Sequence, residues 1–540
     1  MNEQNPLPIS EKPAEQKTTK MRYTFREGIF ALLAFIFAYF FVDTVIDTVT
    51  IGIGVTAIVW SFAAFVLIYQ LITKTKFTLR GVICLVVLLA SSATFTFFRD
   101  YYGVSILVFL FDIALGLYWL FITFGASTSE RLDYLAWFDA LKALVIEPFS
   151  CFGHWFGAVF RGIFGKKNSE EEPVEQKKKN RTGLYVFLGI IIAIITSSVV
   201  IENLKGDAAF SALFDKLFNW GIDITFGDVI LRVLLAFPLG CLLFGALFGA
   251  TRRQRKSLFT YEGTHKAAGK VRFVPLMIVC IVIFPLLAIY LLYFFSQTAY
   301  FVSAFSNILP EGFTYAEYAR EGFFELCSVA IINLIVITVS EIFSRYTEKK
   351  PALLKVTNTL LSLFALALMV IAQSKVVMYI RTYGMTPKRI FAFWFTIVIG
   401  VIFLFIVLYQ FLPKINLTRC AVISSVLLLC VIAFANVDAM IAKYNIELSL
   451  DTGSKLDATM LTYDLSESAE PVILEYYDKL PDDENKRELT SHFKNRADTI
   501  LNEDSWYYKE GYASDWRNWN YSHSIADKMI VEMFGDSVKE

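Results

Sequence analysis

Residues 315–343 read YAEYAREGFFELCSVAIINLIVITVSEIF. A charged helical entry runs here into an apolar segment long enough to cross a bilayer, which needs about 20 residues. Glu317, Glu321 and Glu325 recur every four residues, so a helix places them on one face. Arg320 is three residues from Glu317 and five from Glu325, so Glu317 is its natural helical partner. Asn333 and Glu341 follow inside the apolar run. Polar and ionisable groups in a membrane segment are costly and need partners, water or a function.

The same pattern extends over the chain. It has 540 residues, is 56% hydrophobic and contains 51 Phe, an apolar excess concentrated in long runs. The formal net charge of zero hides an asymmetry. Residues 437–540 carry 11 Lys/Arg and 22 Asp/Glu, so the tail is at −11 and the preceding residues at +11. A basic membrane body with an acidic tail argues against nucleic-acid binding. None of the seven cysteines lies in the tail and no pair has CxxC spacing, so neither a disulfide framework nor a structural zinc site is expected. The four histidines show no ligand spacing, and no Walker, HExxH or GxSxG motif is present. No cofactor is expected.

Hydropathy predicts an all-α polytopic bundle with about eleven spans and a small helical C-terminal soluble domain. The spans fall near 28–46, 49–72, 80–98, 104–124, 183–201, 229–250, 273–298, 322–344, 353–378, 390–412 and 420–436. Asp43 and Asp47 interrupt the first pair. Residues 1–27 are polar and read as a disordered cytoplasmic start. Residues 28–124 form a first set of membrane helices, 125–182 an interfacial helix with a charged linker, 183–436 a second bundle and 437–540 the acidic, aromatic tail. Lys/Arg are concentrated in alternate loops, except that Arg381, Lys388 and Arg389 fall in an outside loop. The bias places the N-terminus in the cytoplasm and the tail outside.

Several connections carry further signals. Residues 132–164 are rich in Phe and Trp with Asp133, Asp139, Lys142 and Glu147 interspersed, and read as an amphipathic segment on the cytoplasmic interface. Phe210, Leu213, Phe214, Leu217 and Phe218 make the stripe of a second amphipathic helix. Gly240, Gly245 and Gly249 suit close helix packing. The basic loops read as topology signals, with anionic-lipid contact as an alternative; the bilayer is the expected partner, and the sequence identifies no protein partner. Lys375 either snorkels to the interface or pairs with a carboxylate such as Glu341. In the run Asn436 to Asn445, a helix aligns Asp438, Ile441, Ala442 and Asn445 on one face, and Asn436 or Asp438 can cap it. Helical spacing continues over 456–480 and 484–502, punctuated by Pro471 and Pro481. The tail ends in an aromatic cluster that includes Trp506, Trp516, Trp519 and Tyr521, expected in a domain core or at the membrane surface.

Three of these stretches together, GFTYAEYAREGFFELCSVAIINL at 312–334, YGMTPKRIFAFWF at 383–395 and NVDAMIAKYN at 436–445, with DWRNWN at 515–520, carry a resemblance. The chain resembles a bacterial family of polytopic membrane proteins called domain of unknown function four-one-seven-three, over residues 180–525. The resemblance implies a bacterial cytoplasmic-membrane protein and supplies no mechanism. Pro commonly follows the first Asn of the last box in that family, where this chain has Val437. A second Arg is common where it has Glu321, which weakens a paired-arginine site.

Two functions fit. An ion-coupled carrier would use Glu317, Arg320, Glu325, Asn333 and Glu341, with Asp43, Asp47, Asp112 and Lys375 as partners. A receptor, scaffold or envelope-accessory protein would present the tail outside and use the charged helix for ion pairs alone. Asn436, Asp438 and Asn445 are further candidates at the interface. A membrane enzyme ranks last, for want of a recognisable nucleophile, metal or phosphate motif.

Overall fold

The computed structural model describes residues 23–45, 52–98, 103–129, 132–133, 135–163, 226–252, 272–306, 323–346, 350–502 and 515–539. Ten helices among them are long and apolar enough to cross a membrane. They are α1 (Phe25–Val45), α2 (Ile53–Thr73), α3 (Leu79–Phe97), α4 (Val104–Thr123), α5 (Phe226–Arg252), α6 (Leu276–Ser306), α7 (Phe323–Phe343), α8 (Ala352–Tyr383), α9 (Pro387–Phe411) and α10 (Leu417–Phe434). Each coincides with an expected span. The span expected at 183–201 and the stripe at 210–218 lie outside the described residues. Asp43 does not break a helix: α1 runs through it to Val45 and α2 begins at Ile53.

The helices bury polar residues and expose apolar ones. Ser92, Asn333, Asn358 and Ser362 are fully buried, whereas Phe40, Ile83, Ile281, Phe295 and Val431 are exposed. That inversion suits lipid, where an apolar side chain loses nothing by facing outward and a polar one must find a partner inside the bundle.

The chain divides into two compact units, residues 1–38 with 150–245 and residues 39–149 with 246–540. In the first, Thr24 and Glu27 form a capping box at the start of α1. Thr24 N donates to Glu27 Oε2 at 2.7 Å and Glu27 N to Thr24 Oγ1 at 3.3 Å. Gly240 of α5 lets the two backbones approach: a Cβ there would lie 2.8 Å from Phe35 Cα. Trp155 fills the adjoining space and donates its indole N–H to Ala31 O at 2.7 Å.

In the second unit, α2, α3 and α4 pack together, and α6 and α7 pack with the pair α8–α9. Residues 136–149 are helical and turn their charges inward. Asp139 accepts from Thr128 N, Ser129 N and Ser127 Oγ at 2.7–2.8 Å, beside buried Lys142. Trp137, Leu141, Val145 and Phe149, spaced by four, are left exposed. The segment is therefore amphipathic, with its apolar stripe outward and Asp139 and Lys142 buried.

The tail is a helical domain. It begins with α11 (Val437–Thr452) and continues through α12 (Glu470–Tyr476), α13 (Glu484–Leu501) and α14 (Tyr521–Phe534). Residues 456–480 are not one helix. They break into short turns at 460–464, 467–469 and 477–479 around α12, and Pro471 stands at its N-terminal start. Ile441, Ile446, Leu461, Leu474, Leu489, Phe493 and Ile530 form the core, against which Met385 and Ile390 of the bundle also pack.

Candidate functional site

The described residues place two of the quoted motifs against each other where the bundle meets the tail. Gly384, between α8 and α9, has φ +77°, a conformation that L side chains avoid. The turn presents the Met385 backbone to Asn445 of α11. Asn445 Oδ1 accepts from Met385 N at 2.7 Å, and its Nδ2 donates to Met385 O at 2.9 Å. The side-chain amide thus replaces a strand partner for one residue. A Cβ on Gly384 would lie 2.5 Å from Asn445 Oδ1. Thr386 caps α9 by accepting from Arg389 N, and Pro387 follows at its first position, where a missing N–H costs nothing. The Arg389 guanidinium donates to Tyr383 O and Gly384 O and lies over the Tyr379 ring at 3.9 Å. Arg389 thus ties the end of α8 to the start of α9.

Asn436 caps α11 by accepting from Ala439 N at 3.3 Å, with φ +43°. Its Nδ2 donates to Ser468 O in the tail at 3.4 Å. Asp438 is 2% exposed and accepts from Ser466 N at 2.9 Å. The face expected from spacing is the buried one: Asp438, Ile441, Ala442 and Asn445 are all buried.

A second contact binds the far end of the tail to the first helices. Arg517 donates to Asp43 Oδ2 at 2.5 Å and to Asp43 O at 3.0 Å. Its Nε lies 2.8 Å from both Asp515 oxygens. Ile53 N, at the start of α2, donates to Trp519 O at 2.8 Å. Gly52 lies so close to Arg517 and Asn518 that a Cβ would stand 2.6 Å from their backbone. Burial alone would raise the Asp515 carboxyl, but the Arg517 hydrogen bonds overcome it and hold the group below its usual range. The Arg517 guanidinium is raised, first by its bonds to Asp515 and further by Asp43.

Inside the tail, Arg496 joins three segments. It reaches Glu470 at 2.6 Å, Asp527 at 3.0 Å and Glu467 at 3.3 Å. His523 adds contacts to Glu467 and Asp527. Burial opposes the Arg496 charge, yet Glu470, Glu467 and Asp527 raise its pKa above the ordinary arginine value. Nothing in the local sequence marked this residue, because its partners come from three separate elements.

The expected ionisable helix is only partly described. Glu317, Arg320 and Glu321 lie outside the described residues. Glu325 is exposed in the first turn of α7, where a negative charge favours the helix dipole. Asn333 is fully buried and accepts from Tyr290 OH at 2.6 Å. Glu341 takes Lys350, from the segment before α8; its other contacts are Asn358 Nδ2 at 2.8 Å and Gln410 Nε2 at 3.4 Å. Lys350 also donates to Gln410 at 2.5 Å, and burial lowers its pKa in spite of Glu341. These residues close one end of α7, α8 and α9.

All seven cysteines are free, and no group of three or more His, Cys, Asp or Glu among the described residues could hold a metal. One small crevice opens beside the bundle–tail junction. Thr94, Ser105, Val108, Ala433, Asn436 and Asp438 are among its lining residues, and it has room for about one water.

Neither a curated protein nor a solved structure matches the chain. The family described as a domain of unknown function (DUF4153) matches residues 81–476, from α3 to the end of α12. The match begins about a hundred residues before the expected start and stops before DWRNWN at 515–520. It takes in the Met385–Asn445 and Asp438–Ser466 contacts and covers well over half of the chain, which therefore belongs to the DUF4153 family, as a multi-pass membrane protein.

Proposed function

We propose that this protein is a membrane-mounted receptor or scaffold whose working part is the tail domain, held at one membrane face by the bundle. The observation that carries the reading is the clamp at both ends of the tail. Asn445 fixes its beginning to the turn between α8 and α9, and Arg517 and Trp519 fix its last segment to α1 and α2. A domain attached by backbone-directed bonds to helices distant in sequence is positioned, not tethered. Two of the ionisable groups invoked for a carrier support this reading, since Asp43 holds the tail and Glu341 closes a helix end. Arg517 binds the C-terminal end of α1, which supports a tail on the side opposite the cytoplasmic N-terminus of a bacterial inner-membrane protein.

The test combines topology with capture. A cysteine replacing Tyr463, which is 69% exposed, should react in whole cells with a membrane-impermeant maleimide. A photoreactive residue at the same position should trap a defined partner, and an identical probe at lipid-facing Ile83 should not. Solute or ion flux through proteoliposomes of the purified protein, with no tail adduct in cells, would defeat the reading in favour of a carrier.

A further inference from the structure

Two of the buried carboxyl groups, Asp139 and Asp112, stand in contrasting surroundings. Asp139 has two backbone N–H donors, a serine hydroxyl and the Lys142 ammonium 3.9 Å away. That donor set suits an anion. Asp112, in the middle of α4, is 3% exposed. Among the described residues its one hydrogen-bond partner is the Ser91 hydroxyl of α3, and its Oδ2 has none. No cation faces it. On α3, Arg80 is occupied at the far end with Ser129 O and Tyr118. Helix α2 carries no charged residue. On α10 the neighbour is Cys430, and the sole charge, Arg419, lies in the first turn. On α1, Asp43 is taken by Arg517.

An unpaired carboxylate within a bilayer is very costly, whereas a carboxylic acid costs far less and brings its own donor. The Ser91 geometry accommodates the acid. Ser91 Oγ can donate to Val87 O at 2.9 Å while accepting the Asp112 proton. Both hydroxyl protons are then used and only a carbonyl-type oxygen remains unbonded.

A crevice with polar lining lies about one helical turn from this group. The crevice beside the tail junction is lined by Ser105 and Val108 of α4, Thr94 of α3 and Ala433 of α10. Asp112 is four residues beyond Val108, on the same helix face and about 6 Å deeper. Ser91 lies three residues below Thr94, whose hydroxyl donates to Ser91 O at 2.6 Å. We infer that Asp112 is a proton-binding site within the membrane, loaded from the tail-side crevice. The ligand is a single proton, passed by water between Ser105 and Thr94 to the carboxyl. Loading forms one O–H bond and discharge breaks it, with no other chemistry. This goes beyond the scaffold reading and stands or falls separately from it.

Infrared difference spectroscopy of the full chain in lipid tests the inference. Asp112→Asn keeps a donor to Ser91 and removes the titrating group. At neutral pH the wild type should show a protonated-carboxyl band that shifts in D₂O and is absent from Asp112→Asn. A band difference confined to carboxylate frequencies would show a structural anion and overturn the proposal. Ala433→Leu should fill the crevice and slow the deuterium shift at least tenfold, with Thr94→Val as the milder variant should the first fail to fold. Unchanged exchange in the variant that folds would overturn the route.

Discussion

Arg517→Ala tests the clamp between the tail and the first two helices. The guanidinium makes two bonds to Asp43 and further bonds to Asp515, and the pair with Asp43 is about a fifth exposed on each side. Hydrogen bonds to charged groups are each worth about 1.5–3 kcal/mol. Partial exposure places the loss at the lower end, so detachment of this segment should become easier by about 2 kcal/mol. Arg517→Lys should fall between, since an ammonium keeps the charge but loses the planar fork. The Ile53 amide reports the event directly, because its acceptor is Trp519 O. Hydrogen exchange at Ile53 should accelerate about 30-fold, as 1.4 kcal/mol corresponds to tenfold. Exchange in the buried middle of α8 should not change. Unaltered protection at Ile53 in a folded Arg517→Ala protein would refute the clamp.

Gly384→Ala should cost about 2–3 kcal/mol in denaturant unfolding, through its left-handed backbone and displacement of Asn445. The penalty should shrink in an Asn445→Ala background, and a fully additive double variant would rule out the contact as its source. Arg496→Met leaves Glu470, Glu467 and Asp527 without their shared cation, and should destabilise the tail by about 3–5 kcal/mol. A melting temperature within a degree of wild type would contradict this. The Asp515 carboxyl is depressed in the folded protein, so its contribution is fully present above its unfolded value near 3.9 and is lost as pH falls through the folded one. Protection of Ile53 should therefore be level from pH 7 to about pH 5 and decline below about pH 4. A decline already complete at pH 6 would point to another group.

The ten described spans were legible because bilayer crossing is a local property: every backbone group is satisfied within its own helix, and length and hydropathy suffice. The buried face of α11 was legible for the same reason. Asp438, Ile441, Ala442 and Asn445 share a side of any helix, whatever it packs against. Asn436 could be expected to cap, since capping joins residues three apart. Partners across the bundle were not legible. Glu341 pairs with Lys350 rather than Lys375, and Asp43 pairs with a residue 474 positions away. Hydrophobic periodicity says which way a side chain faces but not which helix stands opposite. The order of helices in the membrane plane is set by packing, such as the approach of Gly240 to Phe35, and by where the tail settles. Sequence by itself determined the spans, their faces and their caps. Tertiary structure alone decided that Asn445 completes the Gly384 turn, that Asp43 anchors the tail through Arg517, and that Asp112 meets Ser91 and, among the described residues, no cation.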